Sequence, residues 1–212
     1  MRHHLFCHSL AVAGVAFVLG TLAAAAPGEA TEVFAGGYSF SDELGGFRLV
    51  SARGSGTPED PIVILEEISE VAPVTLVIRN HDFSKPTLQG LQSQLNLVKE
   101  VANKSERVWA AFEVELQELR GKPSVYSDGL SFKQFASVAR DVASDSFADN
   151  NRQFEPYDRI EFLNGHVDPG ATVTFRLTIT DPTPTREFYL VQDPKLLAAE
   201  LPVSGSSFAA LE

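Results

Sequence analysis

From Thr172 to Thr180 the chain alternates without a break: Val173, Phe175, Leu177 and Ile179 are apolar, and the threonines and Arg176 between them are polar. Successive side chains of a strand point to opposite faces, so period two over this length specifies a strand with one buried and one wet face. Phe175 and Leu177 are therefore expected inside, Thr174 and Arg176 outside. Asp168-Pro169-Gly170 ahead of the run and Asp181-Pro182-Thr183-Pro184 behind it are turn chemistry.

The same rhythm recurs. Ile160 and Phe162, flanked by Arg159 and Glu161, predict the preceding strand, and Asn164-Gly165 predicts a hairpin between the two. Phe188 and Leu190 mark a further strand ending near Asp193-Pro194. Towards the N-terminus, Phe47 and Leu49 alternate with Arg48 and Val50, and Ile62–Leu65 and Val74–Ile78 are short apolar runs, each introduced by a proline. Gly54 to Pro61 is a turn-rich connection, and no Lys-Ser/Thr pair follows its glycines, so it does not make a phosphate loop.

The middle is ambiguous. Val108, Phe112, Leu116 and Leu119 suit a helix, but Val108, Ala110, Phe112, Val114 and Leu116 also alternate against Glu113, Glu115 and Gln117. Residues 93–120 are read as a strand pair turning at Asn103-Lys104-Ser105, because both flanks are β. Trp109 is out of phase with Phe112 and Val114 and is expected to face away from them, into a second sheet or as an exposed platform. Phe135, Val138, Ala139 and Val142 follow helical spacing and predict one short helix near 133–143.

Many short strands between Gly/Pro turns define the expected fold class: all-β, an antiparallel β-sandwich, immunoglobulin-like or jelly-roll-like, with one short helix. Val167-Asp168-Pro169-Gly170-Ala171-Thr172-Val173-Thr174-Phe175 resembles the Pro-Gly turn and strand of many immunoglobulin-like surface modules. The resemblance implies a sandwich and no function.

The N-terminus bears on compartment. A basic start (Arg2), an uncharged run from Leu10 to Ala26 and the small residues Ala23–Ala26 are the three parts of a secretory signal. Residues 1–25 are expected to be a signal peptide cleaved after Ala25, or after Ala30, followed by a single domain over 31–194 and a loosely ordered tail over 195–212. The apolar run is short of the roughly 20 residues a membrane span wants, and Pro27 follows it. The only cysteine, Cys7, lies within the signal, so the mature chain must hold together without disulfides. That favours a bacterial periplasm or the medium. Loss of Arg2 with the signal takes the net charge from −11 to −12. Nucleic acid is an improbable partner for so acidic a domain.

No catalytic constellation stands out, and no catalytic, cofactor-binding or metal residues are assigned. His81 and His166 are the histidines left after residue 30, and neither has a His or Cys at ligand spacing. His81 with Asp82 lacks a Gly-x-Ser-x-Gly elbow to supply a nucleophile. Asp141, Asp145, Asp149, Glu155 and Asp158, with Asp128 in a turn, are rich enough in oxygen to suggest Ca²⁺, but their spacing matches no EF-hand loop. Asn103-Lys104-Ser105 is a glycosylation sequon, relevant in a eukaryotic host. These observations lead to the expectation of an exported, non-catalytic sandwich binding a protein, glycan or envelope component through its loops. The competing expectation is a secreted hydrolase using two carboxylates on a polysaccharide.

Overall fold

The computed structural model describes residues 29–82, 93–125, 127–133 and 142–196. The expected signal peptide and nearly all of the expected tail lie outside these residues. So does most of the expected helix at 133–143, whose described end is instead a strand. Among the described residues no helix is long and apolar enough to cross a membrane.

Thirteen strands are described: β1 (Glu32–Ala35), β2 (Tyr38–Ser41), β3 (Phe47–Arg53), β4 (Ile62–Ile68), β5 (Val74–Asn80), β6 (Ser93–Asn103), β7 (Trp109–Gln117), β8 (Ser131–Phe132), β9 (Val142–Ser144), β10 (Phe147–Asn151), β11 (Arg159–Gly165), β12 (Thr172–Asp181) and β13 (Glu187–Leu196). They form two sheets packed face to face. The first has the order β1-β2-β5-β13-β7-β11-β10; the second is β3-β4-β6-β12-β8, with β9 also on β12. Pairing is antiparallel except between β4 and β6, which run parallel. The protein is an all-β sandwich.

The alternation does what its period demands. On β12, Val173, Phe175, Leu177 and Ile179 are buried, Arg176 is exposed and Thr174 is half-buried. Phe175 lies at the centre of the core, its ring 4.6 Å from Phe112, 4.8 Å from Phe162 and 6.2 Å from Phe147. It therefore joins the second sheet to three strands of the first.

Two predicted hairpins are replaced by crossovers. β11 pairs with β7 and β10 in the first sheet, whereas β12 pairs with β6 in the second from Thr172↔Ala102 to Asp181↔Ser93. Likewise β6 and β7 are both strands, as expected, but lie in different sheets. The reason lies in Asn103. Its buried amide donates to the carbonyls of Arg107 (2.8 Å) and Val167 (3.0 Å), and its oxygen accepts from Ser105 N and Oγ. Gly170 N reaches Asn103 O at 2.7 Å, and Trp109 and Val167 exchange both backbone hydrogen bonds. The two arches thus dock on each other, and a buried amide is satisfied only in that arrangement. Because both Nδ2 hydrogens are used, the Asn103 sequon is closed to a glycan in the folded chain.

Trp109 also departs from expectation. The register of β13 on β7 shifts between Lys195↔Ala111 and Leu196↔Trp109, so Ala110 is an extra residue. One extra residue inverts the facing of everything before it. Trp109 is therefore fully buried on the same side as Phe112, ring centroids 5.5 Å apart, and its indole N–H reaches Ser105 Oγ at 3.3 Å.

One side of the sandwich is closed by a single carboxylate. Asp42, 8% exposed, accepts Thr31 N at 2.6 Å beside β1 and Leu49 N at 2.8 Å on β3, tying the edges of the two sheets together.

Candidate functional site

On the outer face of the second sheet the registers β4–β6, β6–β12 and β12–β9 line up Val63, Val98, Arg176 and Ala143. Beside Val98 and Arg176, Asn96 and Thr178 form the next pair. The Gly54–Pro61 loop rises at the end of these strands and makes a wall. It is built rather than slack: Ser55 N and Gly56 N both donate to Asp60 O, and Asp60 N donates to Thr57 Oγ1 at 3.1 Å. Gly54 has φ +109°, and a Cβ there would lie 2.2 Å from Pro61 O, so only glycine allows this closure. Asn96 ties the loop to the sheet by sending both its backbone N (3.0 Å) and its Nδ2 (2.9 Å) to Gly56 O.

Wall and sheet enclose an open groove of about 410 Å³, bordered by Pro58, Glu59, Pro61, Val98, Arg176 and Thr178. A second depression of about 230 Å³ continues beyond Arg176 along Ala143–Asp145 and Thr174. The polar groups on the floor are largely consumed: Thr178 Oγ1 donates to Asn96 Oδ1 at 3.1 Å, and Asp145 accepts Thr174 N at 2.8 Å. Arg176, shared by both depressions, is exposed and pairs with no carboxylate among the described residues. It is a guanidinium held ready on a rigid strand in an acidic protein.

The outer face of the first sheet is different, because its cations are saturated. Arg79 meets Glu43 (2.7 Å), Glu187 (2.7 Å) and Glu32 (3.6 Å), and its guanidinium holds the Glu43 carboxyl below the usual range. Arg159 meets Glu115 and Glu113, and Lys195 meets Glu113 and Asp193. Carboxylates neutralised in this way are poorly placed to share a proton with a substrate.

The residues weighed from the sequence scatter. Asp145 holds the turn into β10 by accepting Thr174 N and Ser146 Oγ; burial pushes its carboxyl up, but these hydrogen bonds outweigh it and lower it overall. Asp149 takes Asn164 Nδ2 at 2.5 Å, and Asp158 is buried, accepting Ser131 Oγ at 2.5 Å. Asp141 lies outside the described residues. Asp128 caps its own turn through Val125 N and Leu130 N. Among the described residues no three His, Cys, Asp or Glu side chains gather as metal ligands. His81 binds Ser39 Oγ at 2.8 Å and packs on Phe34, while His166 is exposed near Asp168.

A further constellation is missing from the residues weighed from the sequence. Glu66 on β4, Lys99 on β6 and Gln192 on β13 all point into the core and are 2%, 1% and 0% exposed. Lys99 Nζ lies 2.7 Å from Glu66 Oε1 and also contacts Gln192 Oε1; Gln192 Nε2 lies 3.3 Å from Glu66 Oε2. Strict parity with Leu97 and Val101 on β6, Ile64 and Ile68 on β4, and Leu190 on β13 was the available signal. It places a lysine, a glutamate and a glutamine where apolar residues belong. Burial lowers the Lys99 pKa, and Glu66 only partly restores it.

The fold and groove together define a class: a two-sheet β-sandwich with an open groove on one outer face and an ionisable cluster in its core. No protein-family model, no curated protein and no solved structure matches the chain.

Proposed function

We propose that the protein is an exported, non-catalytic binding module that receives an extended, acidic segment of a partner protein in the groove beside the Gly54–Pro61 loop. The observation that carries this reading is Arg176, an exposed arginine with no carboxylate partner among the described residues, set between two continuous depressions. Pro58 and Pro61 supply apolar wall and Val98 apolar floor, and about 410 Å³ falls in the range of ligand-sized clefts. Arginine recognises carboxylates through paired, charge-assisted hydrogen bonds, so the chemistry selected is that of Asp or Glu side chains or a chain terminus. The sequence supports export through the signal-like residues 1–25.

The test is capture from the envelope and culture fractions of the source cell, with wild type and Arg176→Glu run in parallel. The expected result is a partner retained by wild type, lost from the variant and released as salt rises. Equal capture by both proteins rejects the groove. Release of reducing ends from a polysaccharide by the wild type rejects the non-catalytic reading and favours the hydrolase.

A further inference from the structure

Cys7 is the only cysteine of the chain, so no internal disulfide can staple the sheets, and the core triad sits where a staple would act. Lys99 belongs to the second sheet and Gln192 to the first. Lys99 stands between Ile64 and Phe175 in register, and Gln192 stands between Val74 and Val114. The site is thus enclosed by hydrocarbon on both sheets. An ion pair kept in such a place is poorly explained by stability, since desolvation offsets its attraction and apolar residues of similar volume do as well or better. The arrangement does suit a reaction. An amine touches a carboxamide, and one carboxyl group spans the two, one oxygen on the amine and the other on the carboxamide nitrogen.

We infer that Lys99 and Gln192 join in an intramolecular isopeptide bond, with Glu66 as the catalytic residue that carries the proton. In the reacting form Lys99 is an uncharged amine and Glu66 a neutral carboxyl group. The Nζ lone pair attacks Gln192 Cδ, forming the Nζ–Cδ bond while the C=O electrons move to oxygen. Glu66 Oε1 faces Nζ and accepts its proton; Oε2 faces Nε2 and delivers one to it. The oxygen electrons return, the Cδ–Nε2 bond breaks and ammonia leaves. Glu66 ends as it began, and the balance is amine plus primary amide to secondary amide plus ammonia, with no oxidant or cofactor. Burial favours the uncharged amine, consistent with the lowered Lys99 pKa, and the same dryness protects the product from water. The product also removes the buried charge, replacing an ion pair with an amide. It links positions 99 and 192 across the two sheets and encloses β7 to β12 in one covalent loop.

Mass spectrometry of the full purified chain decides this. Bond formation lowers the mass by about 17 Da, one ammonia, relative to the processed sequence. Trypsin will not cut after an acylated Lys99, so a digest should contain residues 80–104 joined to residues 187–195, at the sum of their masses less one ammonia. Lys99→Arg and Glu66→Gln should each yield the unshifted mass with separate peptides. An unshifted wild type with separate peptides overturns the bond. A Glu66→Gln chain that still shows the joined peptide overturns the role of Glu66. If neither variant folds, the wild-type digest still decides whether the bond exists.

Discussion

Truncating Phe175 to alanine is the sharpest test of how this core is held together. The ring is 1% exposed and touches three others, those of Phe112 and Phe162 below 5 Å and that of Phe147 at 6.2 Å. Large-to-small core changes of this kind cost about 3–5 kcal/mol, and each aromatic pair adds about 0.5–1.5 kcal/mol beyond area burial. Contacts to three strands of the opposite sheet leave little scope for the gap to collapse, so the expected loss is about 4–5 kcal/mol. Against the roughly 5–15 kcal/mol total of an ordinary domain, that is a large share. Trp109 is the only tryptophan, is fully buried and packs on Phe112, so its fluorescence reports unfolding directly. With a urea dependence near 2 kcal/mol per molar, the midpoint should fall by about 2 M. The control is the adjacent Arg176→Ala, expected within about 0.5 kcal/mol of wild type because that side chain faces water. Intact mass is recorded for every variant, so that chains with and without the Lys99–Gln192 bond are not compared with each other. A loss below about 1.5 kcal/mol for Phe175→Ala, or equal losses for the two variants, would refute the assignment of Phe175 as the centre of the core.

Asp42→Ala removes the acceptor of two backbone N–H groups at the seam, and the expected cost is about 2–4 kcal/mol; the Leu49 amide should lose hydrogen-exchange protection before the core does, and unchanged protection would count against the seam. Burial raises the Asp181 carboxyl above its ordinary 3.8, although Thr185 and Thr183 donate to it and oppose the rise. Its protonated form therefore favours the folded chain: that contribution is full below about pH 3.8 and is lost as pH rises through the raised value. Stability of Asp181→Asn relative to wild type should accordingly improve with rising pH across that window, and a flat difference would contradict it. Asp145, Asp149 and Asp158 are engaged at separate places, so millimolar calcium, with magnesium as control, should leave the melting temperature unchanged. A rise abolished by Asp145→Asn would restore a calcium site.

Local periodicity determined much of this protein. It specified that residues 172–180 form a strand with Phe175 inside, because side-chain facing follows from two-residue geometry alone. It likewise specified the strands around Phe47, Ile62, Val74, Ile160 and Phe188; within 93–120 it fitted helix and strand alike, and the β reading came from the flanking strands. Partner choice was settled elsewhere. A strand with one apolar face is satisfied by any sheet, so nothing in residues 159–180 distinguishes a hairpin from an arch between sheets. The buried amide of Asn103 makes that distinction by binding the Val167 carbonyl, 64 positions away in sequence. Trp109 faces inward because pairing with β13 inserts Ala110 as a bulge, which no pattern within β7 announces. Arg176 was legible as exposed, but the groove around it exists only where the Gly54–Pro61 loop is tied to Asn96. Glu66, Lys99 and Gln192 lie on three strands, and only the packing of one sheet on the other brings an amine, a carboxyl group and a carboxamide into contact. Facing is a property of neighbours in the chain; contact between sheets is a property of the whole fold.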